Sequence, residues 1–332
     1  MLPELIDYAK ENWQEWLGDP RPKTVKHIYV RGGPAHSSRA LIALFSDRAQ
    51  LPNVIIKVAF SPREVEYVKQ EFLNLVGLMP VLPADLKSTV PQAFGSLLLD
   101  DTYAMFMSAV PGHRLPVPFL PTQSSFFTKH VFGSFLRRAF DWSLSLAQSP
   151  TDNTQRHTDS LTPIVQRFGR RYVDDSNGHL QSFSEHLSAL TTRWLPCWQH
   201  RATDITNALS WRGHVRFVDW EHAAPDSEPW FDIGYAVLGA LHLADRQSTV
   251  PSRKRILTDT LDVQGWIGST LRSEMSRVWC YSLPISIGVV LVAMDTAVRR
   301  ARKHRPIAAD LAMGLISDDE MRSRISWLAP PR

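Results

Sequence analysis

Cysteine is nearly absent: Cys197 and Cys280 are the only two in 332 residues. Two thiols cannot build a disulfide-stapled scaffold or a four-cysteine zinc site. Charge of one sign is scarce as well. The net charge is +4, from 37 basic against 33 acidic side chains, too small an excess to mark a nucleic-acid surface. Long apolar runs are missing too. The one membrane suspect, Leu283 to Met294 (LPISIGVVLVAM), is too short to cross about 30 Å of hydrocarbon. It holds a proline and a serine, and Asp295 follows at once. It reads as a buried core helix, with Arg299, Arg300, Arg302, Lys303 and Arg305 at its solvated end. The first residues, MLPELID, carry acids where a secretory signal has a basic region and then an apolar run. These absences point to a cytoplasmic protein without a nucleic-acid or membrane partner. What is present is an ordinary globular composition, 44% apolar and 21% charged. That excludes disordered, collagen-like and coiled-coil chains, and the length suits two lobes.

Periodicity divides the chain. Leu2 to Leu17 has helical apolar spacing, ended by Asp19-Pro20. His27 to Arg31, Ala40 to Ser46 and Val54 to Phe60 read as strands. Ser61-Pro62 opens a helix, with serine as N-cap, proline in the first position and acids in the first turn. Val65, Val68, Phe72, Leu75 and Val76 make its apolar face. Ser96 to Leu99 and Tyr103 to Val110 are two more strands, and Pro111-Gly112 closes this part. Beyond Pro121 the pattern is helical: Phe126 to Gln148, Leu161 to Tyr172, Leu180 to Leu195, Ile233 to Ala244 and much of Val263 to Arg302. A β-like patch lies at Asn207 to Asp219. The boundary is expected near residue 110, giving 1–110 and 111–332. No internal repeat or low-complexity tract occurs.

Three groups of residues could carry chemistry. Lys57 stands alone in an apolar strand, and a buried ammonium needs an anion. The anion could be a carboxylate or a phosphate; alternatively the lysine reaches water from an edge strand. Of Glu64, Glu66 and Glu71 on the following helix, Glu71 has the most apolar neighbours and is expected to point inward. The turn Arg31 to Ser38 (RGGPAHSS) could offer N–H groups to phosphates. It is neither a Walker A motif nor a dinucleotide fingerprint, and a simple hairpin turn is the plainer reading. Finally, HRATDITN (His200 to Asn207) is followed by VRFVDWE (Val215 to Glu221). An Asn and an Asp in such places could ligate a hard cation such as Mg²⁺; each could equally cap a turn. Cys197-x-x-His200, with His214 and His222, lacks the second pair of a zinc site. No Gly-x-Ser-x-Gly elbow supports a hydrolase.

HRATDITN, VDWE, PWFDIGY (Pro229 to Tyr235) and SAVPGHRL (Ser108 to Leu115) resemble the motifs of the aminoglycoside phosphotransferase family: His-Gly-Asp-x-x-x-x-Asn, Ile/Val-Asp-Trp-Glu, Pro-x-x-Asp-Leu/Ile and Pro-Gly-x-x-Leu. The resemblance runs from about His27 to Tyr235. It implies an α+β, bilobal protein-kinase-like fold, with a β-rich N-lobe carrying one helix and a mainly helical C-lobe. It implies ATP or GTP, with Mg²⁺, between the lobes. Lys57 would hold the phosphates and Glu71 would pair with it. Gly32, Gly33, Ser37 and Ser38 would cover the phosphates, and Met105 to Val110 would form the hinge. Asn207 and Asp219 would hold the metal. His200 would brace the catalytic loop, and Asp232 would tie that loop to the helical lobe.

Two positions depart from the motif, where the chain reads HRA in place of His-Gly-Asp, and the second matters most. The family's catalytic Asp falls two residues after the histidine and five before the asparagine, which here is Ala202. Asp204 is the candidate substitute base. The leading expectation is therefore a phosphotransferase acting on a hydroxyl of a small molecule, a sugar or an amine-bearing metabolite. One alternative is a pseudokinase that senses nucleotide or supports a partner protein. Another is a kinase of Ser/Thr hydroxyls in a peptide-modification pathway.

Overall fold

The computed structural model describes residues 1–31, 38–47, 49–114, 126–149, 162–172, 178, 180–181, 183–185, 197–227, 231–247, 253–262, 265, 268–270, 272–273, 285–299 and 305–318. They form two compact units. The first is Met1–His113 with Leu209–Ala223, and the second is Arg114–Ala208 with Ala224–Arg332.

The first unit is built on an antiparallel sheet. Its strands are β1 (Val25–Arg31), β2 (Arg39–Ser46), β3 (Val54–Ala59), β4 (Ala93–Leu99) and β5 (Thr102–Ser108), in the order β1-β2-β3-β5-β4. Helix α1 (Leu2–Leu17) lies on one face. Leu5, Ala9 and Trp13 recur every four residues, so they share one stripe of the helix. They pack with Ile42, Leu44, Val54, Ile56, Val58 and Phe106 in one fully buried core. Trp16 stacks on Phe94, ring centroids 5.4 Å apart. The helix ends at Gly18 in the left-handed conformation, φ 71°, one residue before the expected Asp19-Pro20 stop. Glycine takes that angle at no steric cost.

Strand residues alternate between faces. Val54, Ile56 and Val58 belong to the face that meets α1, so Lys57 points to the other. Helix α2 (Pro62–Leu78) packs there and buries Val65, Val68, Glu71, Asn74, Leu75 and Leu78. This corrects the expected apolar stripe: Phe72 is half-buried and Val76 is 47% exposed. The inner face holds two polar residues, and the apolar pattern alone misplaces it by about one position. Ser61 stands at the N-cap, but its hydroxyl makes no capping bond. Strands β8 (Ala208–Trp211) and β9 (His214–Phe217) form a hairpin turned through Arg212 and Gly213, both at positive φ, as tight hairpins require.

The second unit is mainly helical: α3 (Phe126–Ala147), α4 (Thr162–Tyr172), α5 (Phe231–Gln247), α6 (Arg253–Leu261), α7 (Ile285–Arg299) and α8 (Arg305–Ser317). A short antiparallel pair, β7 (Cys197–Gln199) with β10 (Ala224–Ser227), leads into the His200 loop. Val289 to Met294 on α7 are wholly inaccessible to solvent, so the apolar run is a core helix. Among the described residues no helix is long and apolar enough to cross a membrane. Helix α5 crosses α7 closely at Gly234, where a Cβ would stand 2.6 Å from Val292 Cγ2. The expected helix at Leu180 to Leu195 lies largely outside the described residues.

Candidate functional site

In the first unit the polar atoms converge on Lys57. Strand β3 is central, with Leu41 of β2 on one side of Lys57 and Met105 of β5 on the other. An edge-strand lysine reaching water is thereby excluded, and Lys57 is only 5% exposed. Its ammonium donates to Glu71 Oε2 and to Asp219 Oδ1, both at 2.5 Å. Burial by itself would depress the Lys57 pKa. Glu71 and Asp219 outweigh it and raise the pKa above the ordinary lysine value, so the ammonium stays charged. Burial pushes the Glu71 carboxyl upward, and Lys57 opposes the shift.

Asp219 follows β9 in the left-handed region, φ 70° and ψ 65°. The peptide after it is gripped by α2. Glu71 Oε1 accepts from Trp220 N at 3.2 Å, and Asn74 Nδ2 donates to Trp220 O at 2.8 Å. The buried Trp220 indole donates to Phe217 O. Next to this set, Arg39 of β2 bridges α2 and the Asp219 segment. It donates to Glu64 and, at 2.7 Å, to Glu221. Arg39 and Asn74 escaped the sequence reading. Asn74 had a signal: a polar residue three positions after Glu71, hence on the same helix face. Nothing in the sequence marks Arg39 apart from other arginines.

Oxygen ligands of Glu71, Asp219 and Glu221 lie within 4.8 Å of one another. Hard oxygen donors of this kind suit Mg²⁺ and not a thiophilic metal. Across Lys57, Arg39, Glu64, Glu71, Asp219 and Glu221 there are two cations and four carboxylates. Of the residues expected to cover phosphates, Gly32, Gly33 and Ser37 lie outside the described residues. Ser38 is an exposed bend whose carbonyl accepts from Phe60 N. The expected hinge residues Met105 to Met107 are buried within β5.

In the second unit, Asp232 near the start of α5 organises the loop after β7. Its carboxylate accepts from His200 N at 2.8 Å, Arg201 N at 2.7 Å and Thr203 Oγ1 at 3.3 Å. Its own N–H donates to Gln199 Oε1. Asp232 is fully buried, and burial pushes its pKa up to about 7 against the pull of these donors. His200 is buried edge-on to Trp142. Arg201 stands where the resembled motif has glycine and is left-handed, φ 59°, with its guanidinium 4.7 Å from the centre of the Phe231 ring. The Asp232 bond to its N–H and the Phe231 contact oppose the strain of that angle, roughly 1 kcal/mol. Ala202 is 2% exposed. Its carbonyl accepts from Asn207 Nδ2 at 3.0 Å, which fixes the amide and leaves Asn207 Oδ1 as the acceptor atom. Asp204 caps the single turn Ile205–Asn207, accepting from Thr206 N at 2.8 Å and from the Thr206 hydroxyl. It backs onto Gly239, where a Cβ would stand 2.8 Å from Asp204 Cβ.

No family model matches the chain, and no curated protein matches it by sequence. Solved structures do. Ethanolamine kinase of Plasmodium vivax is 10% identical over 96% of this chain and 91% of its own, with a TM-score of 0.51. An aminoglycoside-3'-phosphotransferase of type VIII is 14% identical over 92% and 97%, with a TM-score of 0.45. A macrolide 2'-phosphotransferase of Brachybacterium faecium is 14% identical over 94% and 97%, with a TM-score of 0.46. The first of these carries the fold assignment, together with the sheet-bearing and helical units described above. The chain has the α+β, bilobal protein-kinase-like fold.

Proposed function

We propose that the protein binds a nucleoside triphosphate with Mg²⁺ and transfers its terminal phosphoryl group, slowly, to a hydroxyl of a small molecule. The observation that carries this reading is Lys57, buried and charged between Glu71 and Asp219. As mere scaffolding such a set is a poor choice. Well-packed apolar residues of similar volume are commonly neutral or more stabilising than buried ion pairs. A lysine ammonium has three donors, and the third is available for a phosphate oxygen. Within the first unit, Asp219, with Glu71 and Glu221 beside it, would offer hard oxygen ligands to a metal. Bound Mg²⁺ would neutralise charge on the phosphate oxygens. The surplus of carboxylates around Lys57 supports tighter nucleotide binding with that cation than without it, since a bare polyphosphate would meet net negative charge.

Ala202 supports a second reading, a nucleotide-binding protein that serves a partner without turnover. The side chain that would accept the hydroxyl proton is missing, and Asp204 spends one carboxylate oxygen on Thr206. Phosphoryl transfer rests mainly on positioning and charge neutralisation, so a missing base slows the reaction rather than forbidding it.

Calorimetry with MgATP tests the reading. Wild-type protein is expected to release binding heat that Lys57→Ala abolishes; a silent wild type at millimolar ATP would sink the proposal. Ala202→Asp is then expected to raise phosphoryl transfer or ATP hydrolysis by about 10²-fold. Turnover unchanged by Ala202→Asp, with nucleotide binding intact, would favour the partner reading.

A further inference from the structure

We infer that Asn74 is a positioning residue for the Asp219 carboxylate, holding it on target independently of what Lys57 is bound to. The inference rests on the nucleotide reading above and adds a residue to it. Asp219 sits in the left-handed region, which a non-glycine residue keeps only when its surroundings impose it. Both backbone groups of the next residue are held by side chains on α2. Glu71 takes the Trp220 N–H and Asn74 takes the Trp220 carbonyl.

The two grips differ in kind. Glu71 is shared: Oε2 serves Lys57 while Oε1 serves Trp220. When a phosphate recruits Lys57, the forces on Glu71 change, and its grip on Trp220 changes with them. Asn74 is neutral and lies off that ion pair. Its amide is oriented from behind, because Oδ1 accepts from Gln70 Nε2 at 2.9 Å. A flipped amide would present oxygen to the Trp220 carbonyl and nitrogen to the Gln70 amide, losing both bonds. Asn74 is 5% exposed, so water cannot readily replace it. Asn74 thus carries the part of the Asp219 geometry that persists through a change of ligand at Lys57.

The test is a Mn²⁺ titration read by electron paramagnetic resonance, with and without ADP, beside ADP binding in EDTA and a thermal midpoint. In Asn74→Leu the Mn²⁺ concentration for half-saturation is expected to rise about tenfold, the effect of one buried hydrogen bond. Metal-free ADP binding, which depends on Lys57, should be unchanged. Gln70→Ala, an exposed change that frees the Asn74 amide to turn, should shift the metal titration the same way by less and leave the midpoint in place. It serves if Asn74→Leu fails to fold. Metal and metal-free binding falling in parallel, or a metal titration that moves in neither variant, overturns the positioning role. A wild type that binds Mn²⁺ but no ADP in either condition sinks the nucleotide reading instead, while the metal-only titration still decides for or against Asn74.

Discussion

Lys57→Met is expected to lower the unfolding free energy by about 3–5 kcal/mol, the usual cost of removing one partner from a buried ion pair. Glu71 would be left at 0% exposure without its cation. Asp219 matters less, because its side chain is 34% exposed and water can solvate it. Adding Glu71→Gln should recover most of the loss, since glutamine can still accept from Trp220 N while removing the charge. A double-mutant cycle by urea denaturation should give a coupling of roughly 2 kcal/mol or more. The pH dependence has a definite sign. Without Lys57, burial, helped by the Asp219 and Glu221 charges, keeps the folded pKa of Glu71 above the unfolded one. Stability is then fully present below the unfolded pKa and lost as pH rises through the folded one. Lys57→Met should therefore be less damaging at pH 5 than at pH 8. Equal damage at both would mean that Glu71 remains well solvated, contrary to its burial.

The Lys57 and Glu71 pairing was legible because burial leaves a strand lysine few choices. A single cation in an apolar strand, followed by a helix with one inward carboxylate, is a strong statement in any globular chain. Asp232 was legible only through resemblance. The three donors it collects come from residues 31, 29 and 32 positions away, and no periodicity reports such a contact. The inner face of α2 was misplaced because periodicity counts apolar residues. That face keeps Glu71 and Asn74 inside and turns Leu73, 60% exposed, and Val76 to solvent. Helix α8 went unread although Ile307, Leu311 and Leu315 recur every four residues and are all buried. The basic run before it looked like the end of a helix, and that hid the start of the next.

The residues on which the proposed function rests divide unequally between the two units. Lys57, Glu71, Asn74 and Asp219 all belong to the first, where every polar grip described is internal. The departures from the resembled motif, Arg201 and Ala202, fall in the second. There, Arg201 carries a left-handed strain that glycine would not, and the loop still holds its shape through Asp232. A loop held by Asp232 and lacking a carboxylate at position 202 fits both proposed readings, a slow transferase and a non-turning nucleotide binder. Separating the two therefore depends on restoring Asp at 202 rather than on the geometry of Lys57.

Asp232→Ala should be among the most damaging single changes in the second unit. It would take the carboxylate acceptor from the N–H groups of His200 and Arg201, while the Thr203 hydroxyl keeps its bond to the Asp232 main-chain carbonyl, at a cost of about 3–5 kcal/mol. Asp232→Asn is more informative. Two effects compete at this carboxyl: burial favours the protonated acid, and the donors favour the anion. If burial wins, as a pKa pushed up to about 7 from the ordinary aspartate range indicates, the folded protein holds the proton more tightly than the unfolded chain. That contribution is fully present below about pH 4, declines as pH rises through about 7, and is on the order of 4 kcal/mol in total. Asparagine cannot titrate. The stability advantage of the wild type over Asp232→Asn should therefore shrink between pH 5 and pH 8 in parallel urea titrations. An advantage that grows instead would mean that the donors govern Asp232. The carboxylate would then act as an anionic clasp on the His200 loop, working best at neutral pH and above.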